Sequence, residues 1–167
     1  MDCQKISTDY KIKTLSEIKE IAEKLKENGK KIVTTNGAFD VIHAGHVKSL
    51  DIAKSLGDCL IIGLNSDDSI KRYKSPQRPI ISQEFRAKML AALEMVDYVV
   101  IFCEDDPREL LKVIKPNIHV KSKTGYKGIE KEVVESNGGE IILIDDIPGL
   151  STTFILDRLK QLEETKK

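Results

Sequence analysis

Five short apolar runs rich in β-branched residues recur along the chain, and helical patterns fill the intervals between them. That alternation limits the possible folds more than any other feature. The runs are "KIVTT" (31–35), "CLIIGL" (59–64), "YVVIF" (98–102), "NIHV" (117–120) and "EIILI" (140–144). Most are apolar at consecutive positions, which suits strands covered on both faces, as in a parallel sheet. Helical periodicity occupies about 45–56, 82–95, 106–115, 128–136 and 151–163. A leading helix over about 14–28 is predicted from "TLSEIKEIAEKLKENGK", where Thr14 and Glu17 have capping-box spacing and Gly29 marks a stop. The pattern predicts an α/β fold with a doubly wound, five-stranded parallel sheet and flanking helices. The 167 residues suit one domain, with its core at about 31–163.

Charge and hydropathy then exclude several classes. Lys plus Arg and Asp plus Glu both number 27, for a formal net charge of zero. Non-specific nucleic-acid binding draws on excess cationic charge, so no nucleic-acid partner is expected. The apolar runs fall far short of the roughly 20 residues that span a bilayer. The opening "MDCQKISTDYKIK" has no apolar core of a secretory signal. Cys3, Cys59 and Cys103 are odd in number and widely spaced, which fits free thiols in a reducing cytoplasm. The exception to regular patterning is about 65–80, "NSDDSIKRYKSPQRPI", read as a long cationic connection. The tail "QLEETKK" is expected to be a solvated end.

Three places carry candidate chemistry. The first is "NGAFDVIHAGH" (36–46), at the carboxyl end of the first run and leading into a helix. Ligands of open α/β sheets bind at such ends. Gly37 permits a turn or close approach, and Gly45 lets phosphate reach the helix N-terminus, where free N–H groups favour anions. His43 and His46, three apart, can turn their rings to the same side and donate to phosphoryl oxygens. A metal pair with Asp40 as third ligand and two structural histidines unrelated to function are the rival readings. His119 lies within a strand and reads as packing. The second place is the cationic connection with Lys71, Arg72, Lys74 and Arg78, which could close on a polyphosphate. The third is "PGLSTTFILDRL" (148–159), where Ser151, Thr152 and Thr153 begin a helix and exceed what capping needs. Neither G-x-x-x-x-G-K-[ST] nor G-x-G-x-x-G is present, which removes the main support for Walker-type and dinucleotide sites.

With these segments joined, the chain resembles the H-x-G-H nucleotidyltransferase superfamily, the cytidylyltransferase-like proteins with Rossmann-like sheets. "GAFDVIHAGH" and "GLSTT" match its two signatures. Within it, the chain is most similar to the adenylyltransferases acting on D-glycero-β-D-manno-heptose 1-phosphate. "TNGAFDVIHAGHV", "LGDCLIIGLNSDDSIKRYK", "RPI", "ALEMVDYVV" and "NGGEIILI" carry that likeness over roughly residues 12–160.

The resemblance implies catalytic roles for His43, His46 and Lys74 on the NTP phosphates. It implies nucleotide binding by Asn36, Gly37, Ala38, Phe39, Asp40, Gly45, Lys71, Arg78 and Lys121. Ser151, Thr152 and Thr153 would hold the β- and γ-phosphates, and Asn65, Asp67 and Arg86 would serve the acceptor. The implied reaction joins an NTP, with ATP favoured over CTP, to a sugar or polyol phosphate. Mg²⁺ would accompany the NTP, and a cytoplasmic homodimer is implied. The heptose enzymes typically read Val-Lys-Gly-Gly-Asp-Tyr after the fourth strand, whereas this chain reads "VKSKTGY" (120–126). ATP, CTP or GTP and the acceptor's identity therefore stay open. So do cytidylyl transfer to glycerol 3-phosphate, adenylyl transfer to a cofactor phosphate, and nucleotide sensing without turnover.

Overall fold

A computed structural model describes residues 7–147, 149 and 151–164. Cys3, Pro148, Leu150 and residues 165–167 of the tail lie outside the described residues. The strands are β1 (Ile12–Lys13), β2 (Ile32–Gly37), β3 (Cys59–Asn65), β4 (Tyr98–Phe102), β5 (Ile118–Ser122) and β6 (Glu140–Ile144). The helices are α1 (Leu15–Glu27), α2 (Ala44–Ser55), α3 (Asp67–Tyr73), α4 (Gln83–Ala91), α5 (Arg108–Ile114), α6 (Lys131–Glu135) and α7 (Thr152–Glu164).

The strands form one sheet in the order β1-β4-β3-β2-β5-β6, and every pairing is parallel. All seven residues of β3 are buried, as expected of a central strand covered on both faces. Alternate residues of the sheet feed opposite layers. Leu60, Ile62 and Leu64 pack with Leu50 and Ala53 of α2 and with Leu90 and Ala91 of α4. Cys59 and Ile61 face the other way, onto Ile18 and Ala22 of α1 and Leu110 and Ile114 of α5. A Cβ on Gly63 would fall 2.8 Å from a methyl of Leu110, so the missing side chain lets α5 lie close to the sheet. Val133 and Val134 of α6 join Leu111 in a smaller cluster.

Local sequence explains the boundaries. The Thr14 hydroxyl accepts from the Glu17 N–H, and the Glu17 carboxylate accepts from the Thr14 N–H at 2.8 Å, closing the capping box of α1. Gly29 follows that helix with φ of 67°, a conformation open to glycine at little cost. Two expectations change. The sheet has six strands, not five, because Ile12 and Lys13 pair with Val99 and Val100 at the edge. The first half of the 65–80 connection is helical: the Ser66 side chain accepts from the Ser69 N–H at 3.2 Å, and Ile70 is fully buried.

β2 neighbours β3 on one side and β5 on the other, so the strand order reverses between β2 and β5. The crevice beyond the carboxyl ends at that reversal is where such sheets bind ligands. Among the described residues, no helix is long and apolar enough to cross a membrane.

Candidate functional site

A cavity of about 480 Å³ opens at this reversal, walled by the ends of β2, β3 and β5, the start of α2 and the segment leading into α7. The chain leaves β2 through Gly37, Ala38, Phe39 and Asp40, all on the wall. Phe39 has φ of 46° while remaining only 8% exposed. Residues held in that left-handed region concentrate at functional sites, where surrounding packing sustains them. Asp40 anchors the segment opposite. Its Oδ1 accepts from the N–H groups of Ile80 and Ile81 at 2.8 and 3.0 Å, and its Oδ2 pairs with Arg78 Nε at 2.9 Å.

His43 occupies the N-cap position of α2 in an extended conformation and makes no side-chain cap. Its ring is therefore free to stack on His46, with centroids 3.9 Å apart and planes 25° from parallel. Phe39 lies 5.2 Å from His46 on centroids and helps fix that ring. The Nδ1 atoms of both histidines are buried without a hydrogen-bond partner among the described residues. Burial lowers the pKa of His43. His46 is pushed down to about 4 by burial first, then by His43 and Lys74. Both rings are therefore neutral at neutral pH, each with one N–H to donate. The helix N-terminus they flank favours anions.

Lys74 follows α3 and reaches the same wall, with its ammonium 5.7 Å from the centre of the Tyr73 ring. The residue remains in contact with solvent, yet its pKa is lowered by partial desolvation and then by Arg78, with Asp40 acting oppositely. An arriving polyphosphate would relieve that electrostatic cost. Ser151, Thr152 and Thr153 line the cavity from the start of α7, and the Ser151 hydroxyl accepts from the Phe154 N–H at 3.1 Å.

The remaining predicted site residues divide into two groups. Asn36, Gly45, Asn65 and Lys121 reach the wall. Asn65 is buried and donates to the Ser69 hydroxyl at 3.1 Å, while Lys121 donates to Asn36 Oδ1 at 3.0 Å. Asp67, Lys71, Arg78 and Arg86 lie off it. Lys71 pairs with Asp68 at 3.3 Å in solvent, and Arg78 is directed to Asp40.

Arg86 is engaged within the chain. It is fully buried, donating to the carbonyls of Ile81 and Ala38 and pairing with Asp67 at 2.6 Å. Its donors in a planar fork suit a staple between three segments, and the side chain does not reach the cavity wall. Asp67 is spent in the same pairing. Asp40, weighed as a third metal ligand, has both oxygens engaged by the chain, and no group of three or more potential ligands occurs among the described residues. His119 is buried, with its Nδ1 2.9 Å from the Thr34 hydroxyl, as a packing residue should be. Cys59 is buried and Cys103 exposed, both as free thiols.

Sequence reasoning missed Tyr73 and Glu130, which also line the cavity. Tyr73 closes α3, a helix the charged sequence hides. Glu130 sits in "GIEKEVVE" without any distinguishing neighbour.

Paired histidines in the H-x-G-H spacing, a lysine and a hydroxyl cluster thus stand around the reversal crevice of a doubly wound parallel sheet. Residues 34–164 match the family described as cytidylyltransferase-like, and the chain belongs to it. It is 53% identical over 158 residues to the bifunctional protein HldE of a Nitratiruptor species, covering 94% of this chain and 34% of that protein. The bifunctional protein HldE of Geobacter metallireducens is 48% identical over 161 residues, covering 95% of this chain and 33% of the relative. The chain thus spans about a third of the length of these curated relatives. Among solved structures, a lipopolysaccharide core biosynthesis protein from Thermoplasma volcanium GSS1 superposes with a TM-score of 0.62 at 26% identity, over 71% of this chain and 99% of that one. A pantoate-beta-alanine ligase from Francisella tularensis, with a TM-score of 0.56 and 15% identity over 93% of this chain and 79% of its own, shares the fold.

Proposed function

We propose that this domain is a nucleotidyltransferase that moves an adenylyl group from ATP to D-glycero-β-D-manno-heptose 1-phosphate. The observation that supports this most is that His43, His46, Lys74 and the hydroxyls at 151–153 line one cavity. A sugar acceptor draws further support from the likeness to the lipopolysaccharide core biosynthesis protein.

On this reading a phosphate oxygen of the acceptor attacks the α-phosphorus of ATP in line. A new P–O bond forms, the α–β bridging bond breaks, and its electron pair leaves with pyrophosphate. The nucleophile is already an anion at neutral pH, so no base and no covalent intermediate are required. Rate enhancement then comes from alignment and from donors aimed at the charge that develops on the phosphoryl and leaving oxygens. The neutral histidines each supply an N–H and Lys74 supplies a full positive charge. Ser151, Thr152 and Thr153 supply neutral donors for the departing phosphates. Asp40 and Arg86 position the walls. Mg²⁺ would accompany the NTP as part of the substrate, carried on the triphosphate. The enzyme works in the cytoplasm as a homodimer.

Cytidylyl transfer to glycerol 3-phosphate is the second reading, which the hydroxyls of Ser151, Thr152 and Thr153 on the cavity wall fit equally well. Pyrophosphate release from ATP, CTP, GTP and UTP against a panel of sugar and polyol phosphates tests both. Turnover confined to ATP with the heptose phosphate is expected. Turnover confined to CTP with glycerol 3-phosphate would replace the first reading with the second, and no turnover of any pair would refute both.

A further inference from the structure

Glu130 stands out among the buried polar side chains. It is 3% exposed and forms part of the cavity wall, and its Oε2 has no hydrogen-bond partner among the described residues. Its other oxygen lies 3.4 Å from the Lys121 ammonium, which itself donates to Asn36 Oδ1 at 3.0 Å. Buried carboxylate oxygens are almost always satisfied, so an unpaired one on a residue that lines a ligand cavity points to a donor that arrives with the ligand.

The chemistry narrows that donor. A carboxylate repels phosphate, so the triphosphate does not occupy this corner even though a lysine stands in it. Lys121 and Glu130 together carry no net charge, and they present one strong acceptor beside one strong donor. Neighbouring hydroxyls on a sugar ring match that pair, one donating to the carboxylate and the next accepting from the ammonium. The placement agrees: Lys121 lies near the end of β5 at the strand reversal, facing Asn36 of β2, while the histidines and hydroxyls suited to phosphate stand on α2 and the start of α7.

We propose that Glu130 and Lys121 form a hydroxyl-reading subsite that holds a vicinal diol in this cavity. The diol belongs either to the ribose of the nucleotide or to the acceptor sugar. The inference rests on the nucleotidyltransferase reading for its ligands, but it concerns binding rather than turnover.

Calorimetric titration tests it with ATP, 2′-deoxy-ATP, 3′-deoxy-ATP and D-glycero-β-D-manno-heptose 1-phosphate, on the full chain and on Glu130→Gln. If the diol is the ribose, the deoxynucleotides bind about tenfold or more weaker than ATP, and the variant binds all three alike. If it is the acceptor sugar, the variant binds the heptose phosphate about tenfold or more weaker while its affinities for ATP and the deoxynucleotides stay level. Should Glu130→Gln not fold, Glu130→Asp withdraws the carboxylate by one methylene and is expected to give the same pattern. Equal affinities for ATP and its deoxy forms, together with unchanged heptose phosphate binding in a folded variant, would overturn the subsite. Absence of pyrophosphate release with intact diol discrimination would refute the reaction and leave the subsite standing.

Discussion

The imidazoles of His43 and His46 stack face to face at 3.9 Å, directly at the N-terminus of α2. Two charged rings at that separation would repel, and burial adds to the cost, so both rings are held neutral. A phosphate group is then met by N–H donors fixed in place, with Phe39 packed against His46. His43→Ala or His46→Ala is expected to lower the rate of pyrophosphate release by about 10²–10³, the usual cost of removing one such donor. Circular dichroism should show an unchanged fold, and near-normal turnover in a folded variant would remove these residues from the chemistry.

The Asp40 carboxylate holds two backbone N–H groups and one guanidinium of the 78–81 segment from a site where its side chain is 1% exposed. Asp40→Ala leaves those donors unpaired and is expected to cost about 3 kcal/mol in urea unfolding. Because Lys74 precedes the same segment, the KM for ATP should rise as well. A loss of catalysis without any loss of stability would instead assign Asp40 to direct substrate contact.

Arg86 makes the corresponding prediction for the acceptor side. Fully buried and joined to Ala38, Ile81 and Asp67, it holds three segments together behind the cavity. Arg86→Ala is expected to cost about 3–5 kcal/mol, since it strands the Asp67 charge and empties a filled volume. Arg86→Lys should recover little of this, because an ammonium cannot reproduce the planar fork. A variant as stable as the parent but with a raised acceptor KM would contradict the structural role.

His119 gives stability a pH dependence. Burial, and then Lys121, push its pKa down to about 3, while an unfolded histidine titrates near about 6.5. The native state stays neutral as the unfolded state gains a proton, so this contribution is present above about pH 6.5 and lost as pH falls toward about 3. Between about pH 7 and pH 5 the loss from this one residue is about 2 kcal/mol. Denaturant titrations at both pH values should show His119→Gln with a smaller drop than the parent. An equal drop would mean that His119 is protonated, or accessible, in the native protein.

How much of this was legible in the sequence depended on how strongly local signals agreed. The five longer strands were marked by apolar, β-branched composition, and α1 by Thr14, Glu17 and Gly29. Two-residue β1 has no periodicity to detect, and its strand character comes only from pairing with Val99 and Val100. In α3 a buried serine takes a core position: Ser69 bonds to the Glu104 carbonyl at 2.8 Å beside the apolar Ile70, so the segment looked like charged loop. The paired histidines and the Ser-Thr-Thr run were visible because small residues and a helix start frame them. That the charges of Arg86 and Asp40 are paired within the chain is something a sequence does not reveal. The nearest signal for Arg86 was its place one turn before Leu90, on the buried side of α4. Glu130 had no signal, because its pairing with Lys121 of β5 arises only in the folded chain.

The most direct test of the central claim, that one triphosphate gathers these groups, is a crystal structure with a non-hydrolysable ATP analogue. The account predicts phosphate oxygens within hydrogen-bonding distance of His43, His46, Lys74 and at least one hydroxyl of Ser151, Thr152 or Thr153. A triphosphate bound outside this cavity, or one touching neither histidine, would contradict it.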